Sequence, residues 1–290
     1  MLHEFWTVAY RPRGEKVIFE NASVPFRVIP NTWRYWCADP HFFEHEGKTW
    51  VFAELYDRVL RRGVIGYCYL GEKGPSKWKI ALKTSFHLSY PHIFRREDGI
   101  YMIPESYVGD EIGLYKAVEF PCRWHRVEAI KEHFCAVDTT IIPWENQKWL
   151  LTQLQADDNT GCLLLMSEDG QKQWPISEND PTTRPAGPVF RYGDALIRPA
   201  QDCSDGYGRA LRFNEILEVG EGVFRERLIA EVRPEQINSD WKHRPEGIHT
   251  YGQSEKYEII DLKSREKDPL FTIMRPIWYI WRRIKRLVRK

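Results

Sequence analysis

Residues 39–54, DPHFFEHEGKTWVFAE, decide the fold. They contain an apolar stretch, a polar turn with glycine, and a second stretch of alternating apolar residues, which together predict a tight β-hairpin. Residues 90–105, YPHIFRREDGIYMIPE, repeat this pattern without a gap, and residues 138–153, DTTIIPWENQKWLLTQ, follow it again. In all three copies, ten residues separate the second position from the aromatic residue of the second strand. The chain is therefore built on an internal repeat.

Two looser copies complete the repeat, at residues 186–202 and 249–261. The five copies begin 51, 48, 48 and 63 residues apart, and further strand-like segments follow them. Four strands in about 50 residues is typical of a β-propeller blade. We therefore predict an all-β, five-bladed β-propeller over residues 1–268, in which residues 6–10 complete the last blade and close the ring. A two-sheet sandwich is the competing architecture, but it does not require a hairpin repeated at a near-constant period.

The composition limits the function classes. The 290 residues are 42% hydrophobic and 29% charged, as in a folded globular chain. Lys and Arg (42) balance Asp and Glu (41) to a formal charge of +1, which argues against a strongly basic nucleic-acid-binding protein. The six cysteines form no C-x-x-C pair, so we expect no metal site, redox motif or cofactor. The 14% of aromatic residues suits strand packing and also sugar stacking.

In a propeller, the first strand of every blade lines the central channel, so matched positions face one another there. The residues that begin the five copies are Asp39, Tyr90, Asp138, Ala186 and His249. Two carboxylates beside a tyrosine and a histidine predict a polar pocket suited to chemistry at a sugar's anomeric centre. The alternative is that both aspartates are turn residues that begin strands.

Two glutamates, Glu54 and Glu105, occupy matched places on the second strands of the first two copies. They face either the cavity or the solvent-exposed rim. Arg184 and Arg198, in the fourth copy, suit an anionic substrate group such as phosphate, or a structural pair with one of the aspartates. The remaining candidates for substrate binding are Gln201 and Asp202. The matched histidines His41 and His92 are interpreted as core residues, with no metal site.

Several linked motifs occur in a fixed order. They are residues 36–40 (WCADP), 87–91 (HLSYP), 102–106 (MIPES), 137–140 (VDTT), 184–187 (RPAG), 198–203 (RPAQDC) and 247–250 (GIHT). Together they resemble the N-terminal domain of plant glucosamine inositolphosphorylceramide transferases and its bacterial stand-alone relatives, over roughly residues 30–262. That domain is itself similar to the five-bladed propellers of glycoside hydrolase family 43.

The resemblance implies roles for particular residues. Asp39 matches the catalytic base of the hydrolase superfamily, and Asp138 matches the aspartate that tunes its neighbours' pKa values. The superfamily's blade-four glutamic acid has no counterpart, because that blade begins with Arg184. Ordinary hydrolysis normally needs such an acid, which Glu105 would have to supply, whereas a transferase with a phosphate leaving group needs none. Arg184 or Arg198 would then stabilise the phosphate.

The C-terminal residues 275–290, RPIWYIWRRIKRLVRK, form a separate segment of the sequence. Apolar residues recur at helical spacing opposite a basic face, and we predict a tail helix over residues 269–290. Seven of the chain's basic residues and none of its acidic ones lie in 275–290, so the rest of the chain is acidic overall. The predicted membrane-contacting residues are Trp278, Trp281, Arg282, Arg283 and Arg286. An anionic membrane surface would bind such a helix, although a helix docked on the propeller or a disordered tail is the alternative.

The sequence thus predicts a carbohydrate-active propeller that transfers glycosyl groups in cell-envelope glycan or glycolipid assembly. Its substrates would be a nucleotide sugar or a lipid-linked glycan. With neither a secretory signal nor an apolar run long enough to span a bilayer, we expect a cytoplasmic protein held peripherally on the membrane. A family 43-type glycoside hydrolase and a non-catalytic glycan-binding module are the alternatives. Convergence of Asp39, Asp138 and Glu105 would favour an enzyme, whereas salt bridges from these carboxylates to Arg184 and Arg198 would argue against one.

Overall fold

The computed structural model describes residues 2–155, 161–271 and 273–274. These residues form five antiparallel sheets, which are the blades of a five-bladed β-propeller, as predicted. The first two strands of the chain are β1 (Leu2–Pro12) and β2 (Arg27–Ile29). Blade one contains β3 (Tyr35–His45), β4 (Lys48–Asp57), β5 (Arg62–Gly71), β6 (Gly74–Pro75) and β7 (Lys79–Leu82). Blade two contains β8 (Ser89–Arg96), β9 (Gly99–Glu105), β10 (Glu111–Glu119) and β11 (Arg123–Glu132).

The remaining blades follow the same plan. Blade three contains β12 (Ala136–Trp144), β13 (Gln147–Gln155), β14 (Gly161–Ser167) and β15 (Gln173–Glu178). Blade four contains β16 (Phe190–Tyr192), β17 (Ala195–Asp202), β18 (Ala210–Gly220) and β19 (Val223–Val232). The last two strands are β20 (Tyr251–Gln253) and β21 (Tyr257–Lys267). Short 3₁₀ turns occur at Tyr107–Gly109 and Pro234–Gln236, and residues 269–271 are helical.

Blade five is built from both ends of the chain. Its strand order is β20, β21, β1 and β2, and β1 pairs with β21 from Leu2–Lys267 to Pro12–Tyr257. The N-terminal strand therefore completes the last blade and closes the ring, as the sequence predicted. A buried ion pair supports this closure, because Arg11 Nε lies 2.6 Å from Glu258 Oε2.

The apolar core is divided among the five blade interfaces. Successive side chains of a strand point to opposite faces, so each sheet contributes to two interfaces. Between blades one and two, for example, buried Phe52 and Ile65 belong to the same cluster as Met102 and Tyr115. Four equivalent clusters occupy the other interfaces. Many of the aromatic side chains thus pack between blades, whereas polar side chains line the channel.

The C-terminal tail falls largely outside this description. The predicted membrane-contacting residues Trp278, Trp281, Arg282, Arg283 and Arg286 lie outside the described residues. Among the residues that are described, no helix has the length and apolar character needed to cross a membrane.

Candidate active site

The first strands of blades one, two and three each contain a β-bulge at the matched position. The pairing registers shift between Ala38 and His41 and at the two equivalent places. The bulged residues are Asp39, Tyr90 and Asp138, with φ values of 52°, 42° and 54°. Non-glycine residues in this left-handed region cost about 1–3 kcal/mol, and such residues cluster at functional sites. The bulges re-aim these side chains and bring them together at one end of the channel.

Asp39 lies at the centre of this end of the channel and is 6% exposed. Its Oδ1 accepts a hydrogen bond from the Thr250 hydroxyl at 3.1 Å, and its Oδ2 accepts one from the Tyr90 N–H at 3.3 Å. Burial raises the pKa of Asp39 to about 6, because it outweighs the opposing charge of His249 and is reinforced by the charge of Asp138. Asp39 is therefore ionised near neutral pH but titrates close to it.

His249 is oriented toward Asp39 by a second, fully buried carboxylate. His249 Nδ1 lies 2.6 Å from Asp261 Oδ2, and its Nε2 lies 3.4 Å from Asp39 Oδ1. Asp261 also accepts backbone N–H donors from His249 and Thr250 at Oδ1 and from Asp39 at Oδ2, each at 3.0 Å. Burial opposes the imidazolium, but the charges of Asp261 and Asp39 prevail and raise the pKa of His249.

Asp39, His249 and Asp261 also form a cluster of potential metal ligands, the one such cluster among the residues that the structure describes. Ligand atoms of Asp39, His249 and Asp261 lie within 4.8 Å of one another. The His249 Nδ1 and Asp261 Oδ2 atoms are, however, already bonded to each other at 2.6 Å. As it stands, the cluster is a hydrogen-bonded carboxylate–imidazole–carboxylate arrangement.

Asp138 is held by two side chains of blade four. Arg184 Nε lies 2.5 Å from Asp138 Oδ2, and the Gln201 amide donates to the same oxygen at 3.1 Å. The arginine also reaches Glu105, with Nη2 3.5 Å from Oε2. Arg184 therefore bridges the carboxylates of blades two and three, and its side chain remains 10% exposed.

Neither predicted glutamate lies on the solvent-exposed rim, because the side chains of Glu54 and Glu105 are only 7% and 12% exposed. Burial holds the pKa of Glu105 well above its usual range; the charge of Asp138 raises it further, while Arg184 opposes the shift. Burial likewise raises the pKa of Glu54, with the charges of Asp39 and Glu105 adding to it. Burial therefore favours the neutral, protonated form of both glutamates.

Glu54 faces His87, which begins the HLSYP motif but to which the sequence assigned no role. The Gly63 N–H donates to His87 Nδ1 at 2.9 Å, which places the ring proton on Nε2. That nitrogen lies 3.3 Å from Glu54 Oε1. Burial lowers the pKa of His87 to about 4, so the imidazole is neutral at physiological pH.

Tyr90 ties three blades together across the channel. Its hydroxyl lies 2.6 Å from Thr140 Oγ1 and accepts a hydrogen bond from the Gly187 N–H at 2.8 Å. The side chain is fully buried. Tyr90 therefore shapes the floor of the site, and its hydroxyl is already satisfied by protein groups.

Two residues predicted to bind substrate lie elsewhere. Arg198 is fully buried and forms a bidentate pair with Glu226 at 2.7 and 2.5 Å, so it is structural, although its partner is neither aspartate considered from the sequence. Asp202 accepts from Ser204 N–H and Oγ at 2.9 and 2.6 Å and pairs with Arg209. It holds the loop after β17, whereas its neighbour Gln201 faces Asp138.

An aromatic wall completes the site on the side of blade five. The Trp6 ring stacks on His249 with centroids 3.9 Å apart, and Tyr207 packs edge-on against both rings. The Arg184 guanidinium carbon lies 5.4 Å from the Tyr207 ring centre. Trp6 is buried within this wall, so the half-buried Tyr207 is the ring placed to contact a carbohydrate.

Residues 22–245 match the family model described as glucosamine inositolphosphorylceramide transferase 1, N-terminal. The chain belongs to this family. It is 30% identical over 223 residues to glucosamine inositolphosphorylceramide transferase 1 of Arabidopsis thaliana, covering 72% of this chain and 28% of the plant protein. It is 28% identical over 204 residues to the protein of that name from Oryza sativa subsp. indica, covering 65% and 27%. The chain thus spans less than a third of the length of these relatives.

Solved structures show where else this fold occurs. The catalytic domain of the Coprinopsis cinerea GH62 α-L-arabinofuranosidase superposes with a TM-score of 0.56 at 11% identity, covering 88% of this chain and 97% of that one. CoXyl43, a GH43 β-xylosidase/α-arabinofuranosidase from a compost microbial metagenome, gives 0.54 at 12% identity, covering 88% and 95%. This member of the glucosamine inositolphosphorylceramide transferase N-terminal family therefore shares the fold of these glycoside hydrolases.

The site of this family member also includes residues that its sequence pattern did not bring out. Trp6, His87 and Tyr207 lie in loops or in β1, outside the repeated positions. Asp261, in contrast, is the last residue of the fifth sequence copy and lies within β21, as Glu54 is the last residue of the first copy and lies within β4. Its position in the repeat could have predicted that it belongs to the site, but the fifth copy, residues 249–261, is shorter than the first, residues 39–54.

Proposed function

We propose that this protein transfers a glycosyl group at the channel end that contains Asp39, Glu105 and Asp138. The observation that carries this proposal is the convergence of these three carboxyl groups, with Arg184 2.5 Å from Asp138 and 3.5 Å from Glu105. Asp39 titrates at about 6, whereas Glu105 has a pKa well above its usual range. A base and an acid set by different environments are what chemistry at an anomeric carbon requires.

In the proposed reaction, an acceptor hydroxyl attacks the anomeric carbon of the donor sugar. A bond forms between that oxygen and the carbon, and the hydroxyl proton passes to the Asp39 carboxylate. The bond from the anomeric carbon to the leaving oxygen breaks, and its electron pair stays with that oxygen. Arg184, anchored on Asp138 at 2.5 Å, is the cation placed to stabilise an anionic leaving group.

Transfer is preferred over hydrolysis for two reasons. Blade four begins with Arg184, so a phosphate leaving group fits the site better than an unactivated glycoside. The relatives are named for transfer of glucosamine and for inositolphosphorylceramide, a sugar and a phosphate-containing lipid. The donor would be a nucleotide sugar or a lipid-linked glycan. With an alkoxide leaving group, the protonated Glu105 would donate the proton instead.

We further propose that the protein works at a membrane surface, on the cytoplasmic side. The sequence of residues 275–290 supports this proposal, since it combines seven basic residues with tryptophans and regularly spaced aliphatic residues. Deleting 275–290 should lower partitioning onto anionic liposomes in sedimentation assays. Unchanged partitioning would exclude the tail as the membrane anchor.

Thermal-shift screening against nucleotide sugars tests the transferase proposal. A donor that binds the folded protein raises its melting temperature, and saturation at about 100 times Kd adds about 2.7 kcal/mol. Once a donor is found, Asp39→Asn should leave its binding in place and lower turnover at least about 100-fold. The matched control is Asp194→Asn, at an exposed turn carboxylate between β16 and β17. Equal turnover in both variants would refute the role of Asp39.

A glycan-binding module is the second candidate function. The ion pair of Arg184 with Asp138 at 2.5 Å favours it, because that pair partly satisfies both charges before any ligand arrives. Salt bridges from the site carboxylates to Arg184 and Arg198 would argue against an enzyme. The Arg184 bridge is present, but Asp39 pairs with His249 instead, and Arg198 pairs with Glu226 outside the site. If the protein is a binding module without turnover, the wild type, the Asp39→Asn variant and the Glu105→Gln variant should all bind glycans equally well.

A further inference from the structure

The channel end that holds the site is also where the main connecting loops of blades one and two lie. Asp39 lies near the start of β3, whose first residue, Tyr35, pairs with Asp57 at the end of β4. The loop at residues 58–61 is therefore at this end. The pairing of Ser89 with Glu105 places residues 106–110 there as well. We call this end of the propeller the channel mouth.

Five large apolar side chains are exposed on the channel mouth. They are Leu2, Trp33, Leu60, Tyr107 and Val108, with exposures of 58, 72, 46, 39 and 62%, and we call them the mouth patch. They lie on blades five, one and two, at the same end of the channel as Asp39. Exposed apolar side chains that share one face, rather than being scattered over the whole surface, mark an interaction surface.

Basic side chains accompany the mouth patch. Arg61 and Lys267 are exposed on the same loops and strand ends, and Arg265 is exposed nearby on β21. Two acidic groups of this region are already neutralised, since Asp57 pairs with Arg34 at 2.6 Å and Asp268 pairs with Arg58. Arg265 is also paired, since it lies 3.7 Å from Glu4 and 3.9 Å from Glu246. A surface that combines exposed apolar groups with the exposed basic residues Arg61 and Lys267 fits the interface of an anionic bilayer.

The chain leaves the described structure at the channel mouth. Leu2 pairs with Lys267, so β21 ends at this face. Phe271 then packs against His3, with ring centroids 4.0 Å apart, and lies 5.6 Å from the Arg61 guanidinium carbon. Ile273 is 66% exposed. The last described residues, 273–274, therefore follow a segment that packs at the channel mouth, and the basic sequence 275–290 comes next in the chain.

We infer that the mouth patch docks on the headgroup region of an anionic bilayer, with the pocket of Asp39 and Glu105 facing the lipid. Docking this face would put the apolar side chains into the interface and the basic ones near the lipid phosphates. It would also present the pocket to a sugar or phosphate carried on a lipid. The lipid-linked substrate rests on the proposed function, whereas the docking itself does not.

Vesicle partitioning of the full chain tests the docking. The variant Trp33→Ala/Leu60→Ser/Val108→Ser removes three exposed apolar groups of the patch. The matched control is Leu217→Ser/Leu228→Ser, which removes two side chains of 45% exposure from β18 and β19. On sedimented vesicles of equal phosphatidylglycerol and phosphatidylcholine, the patch variant should partition about tenfold less than the wild type, and the control should partition as the wild type does.

Hydrogen exchange on the wild type gives a second measurement that does not depend on how well the variants fold. Vesicles should slow amide exchange in residues 58–61 and 106–110 and leave β19 unchanged. Equal partitioning of the patch variant, or protection absent from both loops, would overturn the docking and assign vesicle binding to residues 275–290 alone. Loop protection in solution that depends on protein concentration would instead assign the patch to a second copy of the chain. If the wild type partitions onto vesicles but transfers no glycosyl group, the proposed function is refuted and the docking still holds.

Discussion

Asp261 is the residue on which the geometry of the site depends most directly. Its two carboxylate oxygens accept hydrogen bonds from the backbone N–H groups of Asp39, His249 and Thr250 and from the His249 imidazole. It thereby joins the start of blade one to the start of blade five. We predict that Asp261→Asn destabilises the protein and moves the ring proton of His249 from Nδ1 to Nε2.

The size of the effect follows from these contacts. The amide oxygen of asparagine can keep the N–H groups of His249 and Thr250, while its NH₂ group faces His249 Nδ1 and the Asp39 N–H. The imidazole then accepts at Nδ1, which moves its proton to Nε2, 3.4 Å from Asp39 Oδ1. The Asp39 N–H loses its acceptor, at a cost of about 1–3 kcal/mol, and a charge-assisted bond becomes neutral, at about 1 kcal/mol more. The sum is about 2–4 kcal/mol.

Thermal unfolding monitored by circular dichroism measures this loss. At about 2–4 °C per kcal/mol for a chain of this size, the melting temperature should fall by roughly 5–15 °C. Asp194→Asn, at an exposed turn, should change it by less than about 2 °C. ¹⁵N-detected NMR of the histidine ring reports which nitrogen carries the proton. A melting temperature equal to that of the control, or an imidazole proton still on Nδ1, would refute the reasoning.

Three further predictions concern single groups. The raised pKa of Asp39 lets the folded protein hold a proton up to a pH of about 6, so the free energy of unfolding should fall as pH rises from about 4 to 6. Urea titrations should show a smaller fall in Asp39→Asn. An equal fall in the variant and the wild type would contradict the assignment of this proton to Asp39. Gly187→Ala should prevent stable folding, because φ is +132° and a Cβ would lie 2.0 Å from a backbone carbonyl oxygen, whereas Gly193→Ala, with open space around it, should cost only about 1 kcal/mol in denaturant unfolding. Arg198→Met should lower stability by about 2–4 kcal/mol by leaving Glu226 unpaired, yet keep donor binding in thermal-shift assays; lost binding at unchanged stability would place Arg198 in the site.

The fold could be predicted because it is encoded in local patterns that repeat. Each hairpin carries its own alternation and turn, so a blade can be recognised without knowledge of its neighbours. Closure through β1 was also predictable, since strand-like residues 6–10 precede the first copy. The bulges were not visible, because a left-handed φ at Asp39 or Tyr90 leaves no mark in hydrophobic periodicity.

The site was predictable where it follows the repeat and unpredictable where it depends on side-chain direction. Asp39, Asp138 and His249 begin their blades and do converge. Arg198 and Gln201 lie three positions apart on β17, so alternation places them on opposite faces: the arginine reaches Glu226 of the outer strand β19, and the glutamine faces Asp138. Sequence alone does not fix which face of a buried strand is the channel face when both are covered. Tyr207 enters the site from a loop, for which no period exists.

The pairing of β1 with β21 sets the order of events during synthesis of the chain. Leu2 pairs with Lys267, so blades one to four must all be made before β1 finds its partner β21. At about 5–20 residues per second, β1 leaves the ribosome roughly 10–50 s before that partner exists. Blades one to four can close their hairpins in turn, since their pairings are local. The N-terminal strand, with its buried Trp6 and Val8, meanwhile presents an unpaired edge, which makes it the segment of the nascent chain most in need of a chaperone.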